Sequence, residues 1–586
     1  MTRASDEQLQ VIGAPISPMS VIACAGSGKT YTAVRRLAEI RRQLGDDRGR
    51  VALLSFSNVA VNTFRQEYRA LVRSDFAGTA PDRIEIDTLD GFITSNVLRS
   101  HAARTMGCNR APFLIAGTEP FLRNELFKFW AQPSGKSAFP VNPPDLDQIV
   151  VNFDAGGWTF HYRRKGALIP VTNGSAVVLR LGALGAYTHD LGRYWCHRTL
   201  TSQPTILRAL VRRYPHILID EAQDVVTVHQ AIIELLLEAG CQVSLIGDPN
   251  QGIYEFAGAT GAFLAEYGRR PGVRQLVLTR NYRSVPAILR LANRLSTRDD
   301  TAERAPPERT HGAFFVHYRS GEQEDLIAAF RTAVATADLM LERSAVLCRG
   351  HELADRLAGH QGAPGQGLVK TLAQAAILRD RKRDYLGAYK LVVACIVGLM
   401  ANPPQGLAAM LTQPARSLEH RPLRQLVWSF TRSPTSGLPP ATLSALTVWH
   451  PQLLERIDVL LGAIEQQHGI ARTGNLGRKL ARTGLTNTPI IAPADLVADP
   501  GSSIIRVDTV HKAKGESLDA VLYVANREHV EAMIAGVDTE LGRIGYVAAT
   551  RARDLLWVGV PHGALDDLRP ALLARGFQEA GVAPPA

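Results

Sequence analysis

Short apolar runs, closed by polar or small residues, recur along the chain at 51–54, 216–219, 242–246, 276–278, 313–317, 345–348, 504–507, 520–524 and 555–560. Most do not alternate with polar residues, the pattern of parallel strands covered on both faces. Several are followed by helical periodicity, as at 32–44, at 286–295, and where Val61, Phe64 and Tyr68 repeat. Strand and helix in alternation predict an α/β fold with parallel sheets and flanking helices. The rhythm stops twice. Residues 101–204 carry aromatics, Pro and Gly, and residues 359–499 carry helical runs broken by Gly and Pro. The expected organisation is a first core at 1–100 and 205–270 and a second at 271–358 and 500–586. The run 276–278 would open the second core, and each core would be interrupted by a largely helical insertion.

Polar residues at the ends of these runs carry the candidate chemistry. An apolar run ends in Ala23-Cys-Ala25-Gly26-Ser27-Gly28-Lys29-Thr30 before a helical pattern. This is strand, loop and helix, as in a phosphate-binding P-loop. Gly26 and Gly28 let backbone N–H groups face one point, and the helix N-terminus favours an anion. Lys29 would reach the β and γ phosphates of ATP, and the Thr30 hydroxyl would hold Mg²⁺. Ala23 replaces the first glycine of the strict pattern. Ser5 and Gln8 fit a capping box before the loop, while the Gln8 amide also suits an adenine edge.

Run 216–219 ends in Asp220-Glu221-Ala-Gln223-Asp224. Two carboxylates at the end of an apolar strand are costly unless something needs charge there. Asp220 would serve Mg²⁺, and Glu221 would orient and deprotonate water. Run 242–246 leads to Gln251, a candidate γ-phosphate sensor, and to Tyr254 and Phe256, which offer stacking faces or core packing. Arg283 and Arg551 supply planar, permanently charged forks suited to phosphate, with Asp554 a competing local partner for Arg551. The basic cluster at 379–383 reads as a solvated helix face.

Composition is that of a globular protein, 46% hydrophobic and 21% charged, and 586 residues exceed one core. A formal net charge of +11 suits a polyanionic partner. Six scattered cysteines without a C-x-x-C pair argue against a zinc or iron–sulfur centre and fit a reduced, cytoplasmic setting. The longest apolar stretch is too short for a bilayer.

Taken in order, these motifs closely resemble the superfamily 1 UvrD/Rep/PcrA-type DNA helicases: Gln8, the Gly-Lys-Thr loop, Ser-Phe-Ser-Asn at 55–58, Asp-Glu-Ala-Gln-Asp, Gly-Asp-Pro-Asn-Gln, Asn-Tyr-Arg-Ser at 281–284, His-Lys-Ala-Lys-Gly at 511–515 and Val-Ala-Ala-Thr-Arg-Ala. The resemblance covers about 1–100, 205–290 and 500–560. It implies two RecA-like cores with ATP and Mg²⁺ between them, and insertions in the positions called 1B and 2B. In that reading Gln8 and Tyr282 hold adenine, and Tyr31 stands where an arginine often helps. Ala25, Gly26, Ser27, Gly28, Lys29 and Thr30 cradle the phosphates, and Glu516 reaches the ribose. Phe56, Asn58, Thr88, Tyr254, Phe256 and His511 lie along single-stranded DNA. The implied activity is DNA-stimulated ATP hydrolysis driving 3′–5′ movement and duplex unwinding. Ala257 stands where the family has an arginine, and the glutamate of Gly-Leu-Glu-Phe is shifted to Glu516. No nuclease motif follows the last helicase motif. The missing nuclease motif, the Asp90-Gly91-Phe92 variant and the missing arginine at position 257 also resemble ATP-gated, DNA-binding subunits of bacterial defence complexes such as Gabija, whose nuclease is a separate subunit.

Overall fold

The computed structural model describes residues 4–45, 47–75, 83–155, 157–164, 166–255, 258–259, 261–358, 363–381, 383–413, 418–491 and 505–580. The chain divides into two compact units: Met1–Val97, Cys196–His360 and Ser503–Ala586 form one, Leu98–Trp195 and Gln361–Ser502 the other.

The first unit contains two six-stranded parallel sheets. One is built from β1 (Met19–Ala23), β2 (Val51–Ser55), β3 (Ile84–Thr88), β4 (His216–Ile219), β5 (Gln242–Gly247) and β6 (Arg274–Leu278), in the order β6-β1-β5-β4-β2-β3. The other uses β7 (Gly312–Tyr318), β8 (Ala345–Cys348), β9 (Arg506–Thr509), β10 (Leu518–Val524), β11 (Ala552–Pro561) and β12 (Gln578–Glu579), in the order β9-β8-β10-β11-β7-β12. In β10, Val521 and Tyr523 enter one apolar cluster and Ala520, Leu522 and Val524 another. Burial on both faces explains why these strands read as unbroken apolar runs.

One expectation fails here. The run 276–278 does not open the second sheet; β6 pairs with β1, Val21 opposite Leu276, at the edge of the first. An apolar run marks a strand but not its neighbour, and the chain crosses to the second sheet only afterwards.

Five helices of this unit matter below: α1 (Asp6–Ile12), α2 (Lys29–Gln43), α3 (Asn58–Asp75), α4 (Pro286–Ser296) and, near the C-terminus, Glu540–Arg551. Val34 and Leu37 of α2 pack into the core with Val51, Leu53, Leu218 and Ile246.

The second unit departs from the largely helical expectation. Ile149–Asp154, Gly157–Arg164 and Ala167–Pro170 form an antiparallel three-stranded sheet. Phe160 and Tyr162 face inward while Thr159 is exposed, the period-two pattern of a half-buried strand. The 361–502 part is helical, with one apolar cluster running from Val369 through Trp449 to Ile464. Within the basic cluster Arg383 is exposed, but Arg379 does not stand on a solvated face. Arg379 is 3% exposed, ion-paired with Asp380 at 2.6 Å, and donates to the carbonyls of Thr431 (3.2 Å) and Pro439 (3.2 Å). A guanidinium has enough donors to cap several loop carbonyls, which permits its burial. Among the described residues no helix is long and apolar enough to cross a membrane.

Candidate active site

β1 ends at Ala23, and the loop turns back on two glycines with positive φ, Gly26 at 75° and Gly28 at 77°. A side chain at Gly26 would be strained, and its Cβ would lie 2.5 Å from the Arg283 Cβ. α2 then starts at Lys29 with Gly28 as its N-cap and no side-chain cap, so its first N–H groups are available to an anion. The loop is braced from three sides. Ser27 Oγ donates to Cys24 O (2.9 Å), Gln8 Nε2 to Ser27 O (3.1 Å) and Asn281 Nδ2 to Ala25 O (2.6 Å). The Tyr282 N–H donates to Gly26 O at 2.9 Å. Gln8 also completes the capping box of α1, accepting from the Ser5 N–H at 3.1 Å. One amide thus anchors the helix start to the loop.

β4 delivers the carboxylates. The Asp220 N–H still bonds Leu54 O at 2.8 Å, and Glu221 then takes φ 54°, left-handed backbone that a non-glycine residue seldom adopts. Both carboxyls lie in a water-poor space. Burial, then the charge of Glu221, raises the Asp220 pKa above its ordinary value. Burial would raise Glu221 too, but Lys29, Lys514, a hydrogen bond from Gln223 and Arg551 overcome it and hold the group below its ordinary value. Asp220 Oδ1 is buried without a hydrogen-bond partner. An orphaned carboxylate oxygen together with the Thr30 hydroxyl is a hard-oxygen set that fits Mg²⁺. Among the described residues no three His, Cys, Asp or Glu side chains converge. The remaining ligands would therefore be water and phosphate, as Mg²⁺ prefers.

Cationic side chains from distant segments meet these carboxylates. Arg551, at the end of Glu540–Arg551, is 2% exposed; its Nη2 donates to Gln251 Oε1 at 2.8 Å and its Nη1 to Glu516 O at 3.4 Å. Gln251 in turn donates to Asp248 Oδ2 at 2.7 Å. Arg283 donates to Thr550 O at 2.9 Å, and burial beside Arg551 pulls its pKa down to about 9. Two guanidiniums that disfavour each other in a buried space are a site for an anion. The expected pairing of Arg551 with Asp554 does not form. The helix stops at Arg551, Asp554 falls in β11, and its carboxylate takes Arg304 at 2.7 Å.

Lys514 is a site residue for which the sequence suggested no role. Its Nζ donates to both oxygens of Asp224 (2.6 and 2.7 Å) and to Gln251 O (2.8 Å), and lies 5.0 Å from the Tyr254 ring centroid. Burial, partly offset by Lys514, pushes Asp224 up to about 6. Arg543 was likewise missed. It donates to Gly252 O at 2.6 Å and pairs with Glu255, gripping the loop that carries Tyr254. Lys514 and Asn281 stand inside motif strings, a usable signal; Arg543 had none that periodicity reveals.

The aromatic candidates are dispersed. Tyr254 is half-buried with its ring 5.5 Å from His511, edge to face, and His511 Nε2 is 2.9 Å from Ile253 O. Phe56 stands edge to face with His229 at 5.7 Å. Asn58 is exposed at the start of α3, and the Thr88 hydroxyl accepts the Gly91 N–H at 2.9 Å. Phe256 and Ala257 lie outside the described residues. Tyr31 faces the Arg35 guanidinium at 3.4 Å, and the Glu516 carboxylate is engaged by Arg506 at 2.7 Å.

Comparison with known proteins matches residues 4–129 and 186–270 to the UvrD/REP helicase N-terminal domain. The chain is similar to ATP-dependent DNA helicase UvrD2 of Mycobacterium tuberculosis, 25% identical over 445 residues, covering 69% of this chain and 62% of that protein. It is similar to ATP-dependent DNA helicase UvrD1 of the same organism, 22% identical over 640 residues (94% and 81% covered). To DNA helicase II of Salmonella typhimurium it is 27% identical over 301 residues (50% and 40%). The chain thus spans less than two thirds of UvrD2.

Proposed function

We propose, for a chain that carries the UvrD/REP helicase N-terminal domain and belongs by it to the UvrD/Rep-type superfamily 1 helicases, that the protein is an ATP-hydrolysing DNA helicase. The two sheets act as RecA-like cores, with the insertions as accessory domains. ATP and Mg²⁺ sit between the cores, and single-stranded DNA, continuing into duplex, runs past the aromatic motifs. The observation that carries this reading is the meeting of Lys29, Arg283 and Arg551, from three separate segments, around the carboxyl groups of Asp220 and Glu221.

The P-loop N–H groups and Lys29 hold the β and γ phosphates, and Gln8, Tyr31 and Tyr282 frame the base. Mg²⁺, held by Thr30 and Asp220, offsets phosphate charge when bound. Glu221, kept ionised by its cationic neighbours, takes the proton from attacking water. Arg283 and Arg551 stabilise charge on the transferred phosphoryl group. Gln251 bonds Arg551, and its carbonyl accepts from Lys514 beside Tyr254, so the phosphate end and the aromatic end share one hydrogen-bonded path. Closing and opening around the γ phosphate then alternates two DNA grips and moves the protein 3′ to 5′.

The test is ATP turnover with and without single-stranded DNA, paired with unwinding of a 3′-tailed duplex. Strong stimulation with unwinding is expected. Equal turnover in both conditions overturns the motor reading. Stimulation without unwinding favours the ATP-gated DNA-binding subunit of a nuclease complex.

A further inference from the structure

The turn after α4 buries charge that phosphate binding does not require. α4 ends at Thr297, whose φ of 55° is left-handed, a conformation costly for a β-branched residue. The reversal is held on several sides. Thr297 Oγ1 donates to Ser296 O (2.7 Å), Asn293 Nδ2 donates to Asp300 O (2.8 Å), and Thr301 and Ala302 pair in parallel with Arg280 and Asn281. It brings Arg298 back towards Asp248, the residue that follows β5.

Arg298 and Asp300 form a two-pronged pair, Nε to Oδ2 at 2.7 Å and Nη2 to Oδ1 at 2.9 Å. The remaining nitrogen, Nη1, lies 4.0 Å from Asp248 Oδ1. Asp248 is fully buried, and among the described residues Arg298 is its ion-pair partner. Burial would lower the Arg298 pKa, but the two carboxylates outweigh it and raise it. A buried carboxylate is tolerated when it has such a cation and its oxygens are bonded. Asp248 Oδ1 accepts the Asn250 N–H at 3.1 Å, and Oδ2 accepts Gln251 Nε2 at 2.7 Å. A carboxylate can only accept, so it takes the NH₂ end of the Gln251 amide and leaves the oxygen end to Arg551, at 2.8 Å. Turned over, the amide would set its own donors against a guanidinium that can only donate. Tyr546, buried on the helix that ends in Arg551, has Asp248, Arg298 and Asp300 as electrostatic neighbours.

We infer that Arg298 and Asp300 are positioning residues for Arg551: they hold the Asp248 carboxylate, which orients the Gln251 amide, which sets where the arginine stands to meet the γ phosphate. The inference rests on the ATP site proposed above. Neither residue touches the nucleotide in this scheme. Their effect passes through one hydrogen-bonded line, Asp300 to Arg298 to Asp248 to Gln251 to Arg551, so it belongs to the hydrolytic step and not to ATP capture.

The experiment uses the full chain with ATP and single-stranded DNA, comparing wild type, Arg298→Met, Arg298→Lys, Arg551→Ala and the double variant Arg298→Met/Arg551→Ala. Arg298→Met should lower kcat at least about tenfold with KM for ATP within about threefold of wild type. Arg298→Lys keeps the charge without the fork and should recover part of kcat. The double variant should be no more than about twofold slower than Arg551→Ala alone, because residues acting through one group are not additive. Single-turnover hydrolysis with enzyme in excess reads the slow variants. Unchanged kcat in Arg298→Met, a raised KM with kcat retained, or losses that multiply in the double variant overturn the inference. If circular dichroism shows Arg298→Met unfolded, Asp300→Asn takes its place under the same criteria, since it loosens the guanidinium while keeping an oxygen of the same shape. Near-normal turnover in Arg551→Ala itself refutes the ATP-site reading, whereas loss there with Arg298→Met unaffected refutes the positioning role alone.

Discussion

Replacing Arg551 with alanine separates the chemistry of the cleft from its stability. The guanidinium is buried, donates to Gln251 Oε1 at 2.8 Å and stands beside Glu221, whose ionised form it favours. Two losses follow. Gln251 Oε1 is left buried without its donor, at a cost of about 1–3 kcal/mol. The transferred phosphoryl group loses a cation of the kind that supplies about 10³–10⁵ in rate, or about 4–7 kcal/mol of barrier. The kinetic term is the larger, so Arg551→Ala should stay folded with a lowered Tm, bind a fluorescent ATP analogue within several-fold of wild type, and lose hydrolysis by about three orders of magnitude or more. The loss should appear with and without single-stranded DNA. Arg551→Lys should recover little, because an ammonium cannot reach Gln251 and phosphate with a planar fork. Local neutralisation by Asp554 is not an escape from this reasoning, since Arg304 holds that carboxylate at 2.7 Å. Near-normal stimulated turnover in Arg551→Ala would refute the role of the arginine and with it the cleft-closure mechanism.

Three further outcomes follow from the same geometry. Lys514→Met removes the bidentate contact to Asp224 and the donor to Gln251 O, so stimulated turnover should fall at least about tenfold while unstimulated turnover falls less; equal loss in both would show a merely structural lysine. Tyr254→Ala should weaken single-strand binding by about 1–3 kcal/mol if the ring stacks a base, with ATP affinity unchanged, whereas global unfolding would mark it as a core residue. Asp224 carries a folded pKa of about 6, raised by burial, so the folded state binds its proton more tightly than the unfolded chain. Its contribution to stability should therefore fall as pH rises from about 4 to about 6, while its ion pair with Lys514 forms over that range. ATP turnover should show an acid limb near pH 6 that Asp224→Asn abolishes, and an unchanged limb in that variant would place the titration elsewhere.

The strands and the glycine-rich loop at 23–30 were legible because their causes are local. A strand buried on both faces must be continuously apolar, as at 51–54 and 520–524, and a loop that turns its N–H groups inward needs glycine where φ is positive, as at Gly26 and Gly28. Candidate site residues were legible as polar residues placed, against cost, at the ends of such strands. What local pattern could not carry was pairing. The strand 274–278 joined the first sheet because of its hydrogen-bond partner β1, not its composition. Arg379 looked solvated but is buried, because the carbonyls that satisfy it, at Thr431 and Pro439, lie more than fifty residues away. Arg551 bonds Gln251, three hundred residues earlier, in place of nearby Asp554, and Lys514 found its role through Asp224 in the same manner. Charge and hydrogen-bond partners act through space. The chain's own order therefore determined which residues could do chemistry, and only the folded contacts decided which of them act on one another.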